Sequence, residues 1–317
     1  MFSIEFSLNN PHFSQLKMNI KLTAAILALM ALAPIADAQV PAETEGTITN
    51  IVSNPGGSVT LTVMDITVTV PVGTPVSTPT SKDIGLAGLV NPTAFPGRTQ
   101  AGFLGGTAIV LGNAAVDGVI TADSVFAEPA ENVVLGIVTP AEVGDPTGSL
   151  RVNGMLVQFL NDPRIDFDVP RNDLGFEVAL AAVVPGTAVA IEGYYSTETN
   201  TFYSFLLEAV EVPALNPALQ VSILRAQGRT DRGELEVRGG VSGITGAGGV
   251  TVQIRQVRPN GTTPLIGTVA AILDPLVPGT ATYRFLAQGV TPFPTTVFAR
   301  VVRAGVTANS DRVSPSL

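Results

Sequence analysis

The chain is 317 residues long with a formal net charge of −9, and it has no cysteine, no tryptophan and a single histidine, His12. Without cysteine there is no disulfide, thiolate metal ligand or lipid-modified cysteine. From residue 39 onward there is no imidazole either, so Ser-His-Asp and Cys-His nucleophile systems are excluded there, as are His- or Cys-ligated zinc and haem.

At the N-terminus, Lys21 precedes an apolar run from Leu22 to Ala33, followed by Pro34 and Ala36-Asp37-Ala38. A basic head, a short apolar segment and an A-x-A exit form a secretory signal cut before Gln39. The run falls well short of the roughly 20 residues of a membrane-spanning helix. No later segment is apolar enough to anchor the cleaved chain. Residues 1–17 carry Glu5 and His12 ahead of the basic head and fit no part of the signal, so translation is expected to start at Met18. Residues 1–38 are therefore assigned to the signal and its extension, and the protein is expected in the periplasm or outside the cell.

The next two regions, 39–130 and 131–212, share blocks in the same order. Gly46-Thr-Ile-Thr49 answers Gly136-Ile-Val-Thr139, and Gly57-Ser-Val-Thr-Leu-Thr-Val-Met64 answers Gly148-Ser-Leu-Arg-Val-Asn-Gly-Met155. Later, Gly106-Thr-Ala-Ile-Val-Leu-Gly112 answers Gly186-Thr-Ala-Val-Ala-Ile-Glu-Gly193 with one residue inserted. Alternation of Val59, Leu61 and Val63, and of Leu150 and Val152, predicts half-buried strands. Asn153-Gly154 predicts a two-residue hairpin, since both positions accept positive φ. The first region has Thr62-Val63 there, which moves its turn to Met64-Asp65. About five strands per region are expected, with the long connection between the third and fourth. Five short strands protect their edges by closing into a small barrel of the OB type.

The tandem glycine-and-strand pattern of residues 45–212 resembles a family of secreted bacterial barrel repeats known only as a domain of unknown function. The resemblance implies an exported barrel pair and brings no catalytic residues.

Pro213-Ala-Leu-Asn-Pro-Ala218 reads as a linker, because paired prolines interrupt a sheet ladder. Beyond it, strand-like runs lie at 219–226, 234–238, 250–257, 265–272, 281–287, 296–303 and 307–313, with a turn at Asn260-Gly261. Seven short strands in about 100 residues predict an immunoglobulin- or fibronectin-like sandwich for 213–317, although the cysteine pair and core tryptophan of antibody domains are missing. The expected fold is thus all-β: two OB-like five-stranded barrels in tandem and an immunoglobulin-like sandwich. Gly239-Gly240 and Gly246–Gly249 sit in strand-turn context, without the strand-to-helix step that phosphate loops need.

Candidate chemistry is sparse. Asp162, Asp166, Asp168 and Asp173 gather oxygen ligands suited to Ca2+, but the spacing is not that of an EF-hand. Arg164 and Arg171 stand ready to neutralise them instead. No other cofactor is expected. Tyr194, Tyr195 and Tyr203 offer stacking faces for single-stranded nucleic acid. Charge opposes that reading: residues 39–212 hold five basic and 19 acidic side chains, a balance of −14 that repels phosphate. Residues 213–317 hold ten arginines against five acids, a balance of +5. Arg225, Arg229, Arg232, Arg238, Arg300 and Arg303 form the candidate binding surface, facing an anion such as an acidic glycan or protein. The sequence favours a non-enzymatic structural or adhesion protein that binds itself, other envelope or extracellular proteins, or glycans. The alternatives are a carboxylate-dependent hydrolase of cell-envelope glycan and a single-strand binder.

Overall fold

The computed structural model describes residues 40–316 apart from Val116, Asp231 and Ala247. The signal peptide, the cut before Gln39 and the start at Met18 lie outside the described residues.

In the first barrel, β1 (Val40–Ser53), β2 (Val59–Val63), β3 (Ile66–Val70), β4 (Val76–Ser77), β5 (Thr107–Ala114) and β6 (Ile120–Glu128) follow one another. A single five-residue helix, α1 (Gly85–Leu89), lies in the long connection between β4 and β5. Antiparallel β1 joins β2 to β5, β5 pairs with β6, and β6 returns parallel to β3. The ring β1-β2-β3-β6-β5 closes on itself. Alternation explains its two faces: Val59, Leu61, Val63, Val68 and Val70 are buried inside, while Thr60 faces Thr69 and Thr62 faces Thr67 across the ladder between them.

The second barrel uses β7 (Asn132–Thr139), β8 (Leu150–Val152), β9 (Met155–Phe159), β10 (Arg171–Asn172), β11 (Ala188–Ser196) and β12 (Thr201–Ala209). It closes in the same order, β7-β8-β9-β12-β11, again with one parallel joint, β9 on β12. Hairpin turns fall where expected: Met64 has φ 53° and Asn153 φ 50°, with Gly154 at φ 82°. Each turn folds over a glycine. A Cβ on Gly46 would lie 2.6 Å from the Met64 side chain, and one on Gly136 2.5 Å from the Asn153 amide. Barrel closure also needs a sharp bend late in β5 and β11, the fourth ring strand of each barrel in chain order. Gly112, beside a bulge in the β5–β6 ladder, and Gly193 supply it; a Cβ there would sit 2.1 Å from the Thr121 carbonyl oxygen and 2.0 Å from that of Tyr203.

The C-terminal region has β13 (Gln220–Val221), β14 (Arg225–Arg229), β15 (Glu234–Ser242), β16 (Val250–Gln256), β17 (Leu265–Leu273), β18 (Ala281–Ala287), β19 (Val297–Arg303) and β20 (Val306–Asn309). The first expected strand, 219–226, is divided into β13 and β14. One layer orders β14-β15-β18 and the other β17-β16-β19-β20. Strand β17 serves both, pairing with β16 over Leu265–Ala271 and with β18 at Ile272–Leu273. The sandwich is thereby one nearly closed sheet. Leu235, Val237, Val252, Ile254, Phe285 and Val301 fill its interior.

Two compact units divide the described chain: 40–169 with 184–207, and 170–183 with 208–316. The second unit therefore takes in residues 170–183 along with the sandwich. The polar contacts give the reason. Asn172 Nδ2 donates to the Val212 carbonyl at 2.8 Å, the Leu215 amide to the Glu177 carbonyl at 2.7 Å, and Ser222 Oγ to the Leu174 carbonyl at 2.5 Å. The proline-rich connector at 213–218 is tied down by these bonds.

Candidate functional site

The aspartate loop is the first sequence candidate, and its residues do not converge. Asp162 and Arg164 are both buried and form a bidentate pair, Nη2 to Oδ2 at 2.7 Å and Nε to Oδ1 at 2.8 Å. Burial alone would raise the Asp162 carboxyl; the bonds from Arg164 outweigh it and hold the group below its usual value. Asp166 and Asp168 each accept the amide of the following residue, Phe167 at 3.0 Å and Val169 at 2.9 Å. Asp173 belongs to the other unit, where burial raises its carboxyl. Among the described residues no three His, Cys, Asp or Glu side chains are grouped to hold a metal ion. Asp162 has a different task.

That task is to lock the barrels together. The Arg164 guanidinium lies 3.8 Å above the Phe95 ring and 5.8 Å from that of Phe103. Its Nη1 donates to the Asn91 carbonyl at 3.2 Å, and its own carbonyl accepts Thr78 Oγ1 at 2.9 Å. Tyr194 donates its hydroxyl to the Pro96 carbonyl at 2.8 Å, and Ser196 Oγ donates to that of Gly97 at 2.5 Å. Tyr194 stacks on Tyr203 at 5.4 Å, and a Cβ on Gly97 would lie 2.4 Å from the Tyr203 ring. Two of the three tyrosines are thus packed into the contact between the barrels. Only Tyr195, 43% exposed, stands free of that core, its hydroxyl bonded to Asn200. Nucleic-acid stacking therefore loses two of its three platforms.

The arginines divide by function. Arg225, Arg229 and Arg238 lie on the outer face of the layer β14-β15-β18, because the intervening Leu235, Val237, Tyr283 and Phe285 point inward. Arg225 pairs with Arg238 and Arg238 with Arg284, so three guanidinium side chains occupy one cross-strand row. Among the described residues, Glu236 is the one carboxylate paired with the row, accepting Nε of Arg238 at 2.5 Å and Nε of Arg284 at 2.7 Å. Arg225 Nε is buried without a hydrogen-bond partner, while Arg229 stands opposite Glu234. Arg232 lies exposed between β14 and β15. Arg300 is on the other layer, bonded to Asn309 and 5.5 Å from the Phe298 ring. Arg303 is structural: its guanidinium donates to the carbonyls of Thr245, Gly246, Gly248 and Gly249 at 2.9–3.3 Å. It organises the glycine loop that the sequence marked as merely a turn. Of the candidate arginines, Arg225 and Arg238 share one cross-strand row. Arg284, which the sequence reading missed, completes it; the signal was its place three residues after the buried strand start at Ala281, on the outward phase of the alternation.

A second charged face was also missed. Glu128 is buried, 4% exposed, at the end of β6 and opposite Thr107. Burial first, and then the carboxylates of Glu131, Glu192 and Glu45, push its carboxyl up to about 8. Burial, then Glu131, raises Glu192 as well. Glu43 and Glu45 extend this face as exposed, outward positions two apart on β1. The sequence signal was Glu128-Pro129, an acid at a strand end where proline stops the ladder. Neither a family model nor a curated protein matches this chain.

Proposed function

We propose that the chain is an exported, non-catalytic structural or adhesion-type protein that binds anionic partners through the outer face of its sandwich. The observation that carries this reading is the row Arg225–Arg238–Arg284 with Glu236 as its one paired carboxylate. Like charges directly opposite across a ladder destabilise a sheet by several tenths of a kcal/mol or more, so an anion laid along the row offsets a standing cost. The barrel lock supports a structural role, since it joins two barrels through a buried ion pair and packed aromatics. Glu128, the acid with the most displaced proton affinity, is enclosed and out of reach of a glycan substrate, which favours the non-catalytic reading over the hydrolase.

Immobilised polyglutamate tests the proposal. The wild-type chain should be retained at low salt and eluted as salt rises, and Arg225→Gln with Arg284→Gln should elute earlier with an unchanged β circular dichroism spectrum. Equal retention of the variant, or no retention of either, would overturn the anion-binding reading. Release of reducing ends from cell-wall glycan by the purified chain would overturn the non-catalytic one.

A further inference from the structure

Both charged faces are incomplete within one chain. The arginine row has three cations for one paired carboxylate, and one of its nitrogens is buried without a partner. Among the described residues no ion pair involves Glu43, Glu45, Glu128, Glu131 or Glu192. Three cations in a cross-strand row span about 10 Å, at 4.7–4.9 Å per strand. Glu43 and Glu45, two residues apart on one face of β1, are separated by roughly 7 Å, with Glu131 and Glu192 electrostatic neighbours of the same buried Glu128. The two faces match in scale and oppose in sign.

We propose that the arginine face of one copy docks on the glutamate face of the barrels of a second copy, so that chains associate head to tail. The proposal rests on the anion-binding reading above and names the partner as another molecule of this chain. Two different faces meet, so the contact is heterologous and propagates as an open row unless its rotation closes a ring. The whole-chain charge split has the same sense, −14 over residues 39–212 against +5 over 213–317. Opposed patches of this kind set encounter rate and orientation. Burial and like-charge neighbours already raise Glu128 and Glu192, and an incoming cation relieves both.

Sedimentation velocity over a concentration series is the test. At about 0.01 M salt, where the screening length is roughly 30 Å, the wild-type chain should form species larger than dimers. At about 0.15 M, where it is roughly 8 Å, association should weaken at least about tenfold. A sandwich variant, Arg225→Gln with Arg284→Gln, and a barrel variant, Glu43→Lys with Glu45→Lys, should each remain monomeric. Their equimolar mixture should give dimers and nothing larger, because one intact face of each kind remains between them. A wild-type chain monomeric at low salt, salt-insensitive oligomers, or a mixture that stays monomeric would overturn the proposal. Should the chain bind polyglutamate yet never self-associate, the anion-binding reading survives and the self-docking one falls.

Discussion

Replacing Arg164 by Met keeps much of the aliphatic stem over Phe95 and removes the charge. Asp162 then loses both guanidinium bonds, 2.7 and 2.8 Å long, in a site where it is only 8% exposed. Breaking a buried pair by deleting one partner costs about 3–5 kcal/mol, and the cation above the Phe95 ring adds up to about 2 kcal/mol where it is desolvated. These overlap, so about 4 kcal/mol is expected, or roughly 8–16 °C in melting temperature for a unit of this size. The sign with pH is also fixed. In the wild type, Asp162 titrates below its usual value, so its contribution is present above the unfolded carboxyl value near 3.9 and fades as pH falls through the folded one. In the variant the buried carboxyl is unpaired and raised, so the difference between the two proteins should be larger at pH 7 than at pH 4. Urea titrations followed by circular dichroism at both pH values measure this. Asp162→Asn combined with Arg164→Met should recover part of the loss, because no buried charge remains. A single variant within 1 kcal/mol of the wild type at pH 7 would refute the barrel lock.

Two further expectations come from the same barrels. Glu128→Gln should match the wild type near pH 4.5 and exceed it as pH rises to 9: the folded carboxyl is raised from 4.5 to about 8, so the wild type loses stability across that window, by up to about 5 kcal/mol. A variant whose advantage does not grow with pH would show that Glu128 is not confined as described. Gly112→Ala should destabilise by about 1–3 kcal/mol, since a methyl 2.1 Å from the Thr121 carbonyl oxygen forces backbone movement, and an unshifted urea midpoint would contradict the bend assigned there.

The architecture was legible because it rests on local rules. Alternation at Val59, Leu61 and Val63 sets which face is buried, the turn at Asn153-Gly154 sets register, and a glycine near the end of the fourth strand permits closure. Each is readable within a few residues. The first sandwich strand was misread as one because Gln220–Val221 and Arg225–Arg229 lie in one apolar-looking stretch. Only their partners on β15 separate them, Ser242 and Val241 for one, Arg238 to Glu234 for the other.

Charge placement was far less legible, and the reason is that pairing is set by distant backbone. Asp162 and Arg164 read as parts of one charged loop, a Ca2+ candidate with its own neutralising arginines, because acids, arginines and prolines alternate there. Nothing nearby in the sequence announces Phe95 or Asn91, about 70 residues earlier, which turn that loop into buried structure. Arg303 read as surface because its neighbours in β19 are apolar, yet the glycine loop at 245–249 turns four carbonyls onto it. Arg284 was overlooked for the opposite reason: alone on its strand, it joins Arg225 and Arg238 only through ladder register. An arginine's role here depends on what the opposing backbone offers. Where carbonyls or a carboxylate converge, as at Arg303 and Arg164, the cation holds the fold together. Where a ladder aligns like charges with too few acids, as at Arg225, Arg238 and Arg284, the sheet leaves positive charge for a partner to meet. The same test separates the acids, since Asp162 has a guanidinium while, among the described residues, no ion pair reaches the glutamates around Glu128. Excess charge of opposite sign, positive in one unit and negative in the other, is the physical ground of the proposal that binding resides at those two surfaces.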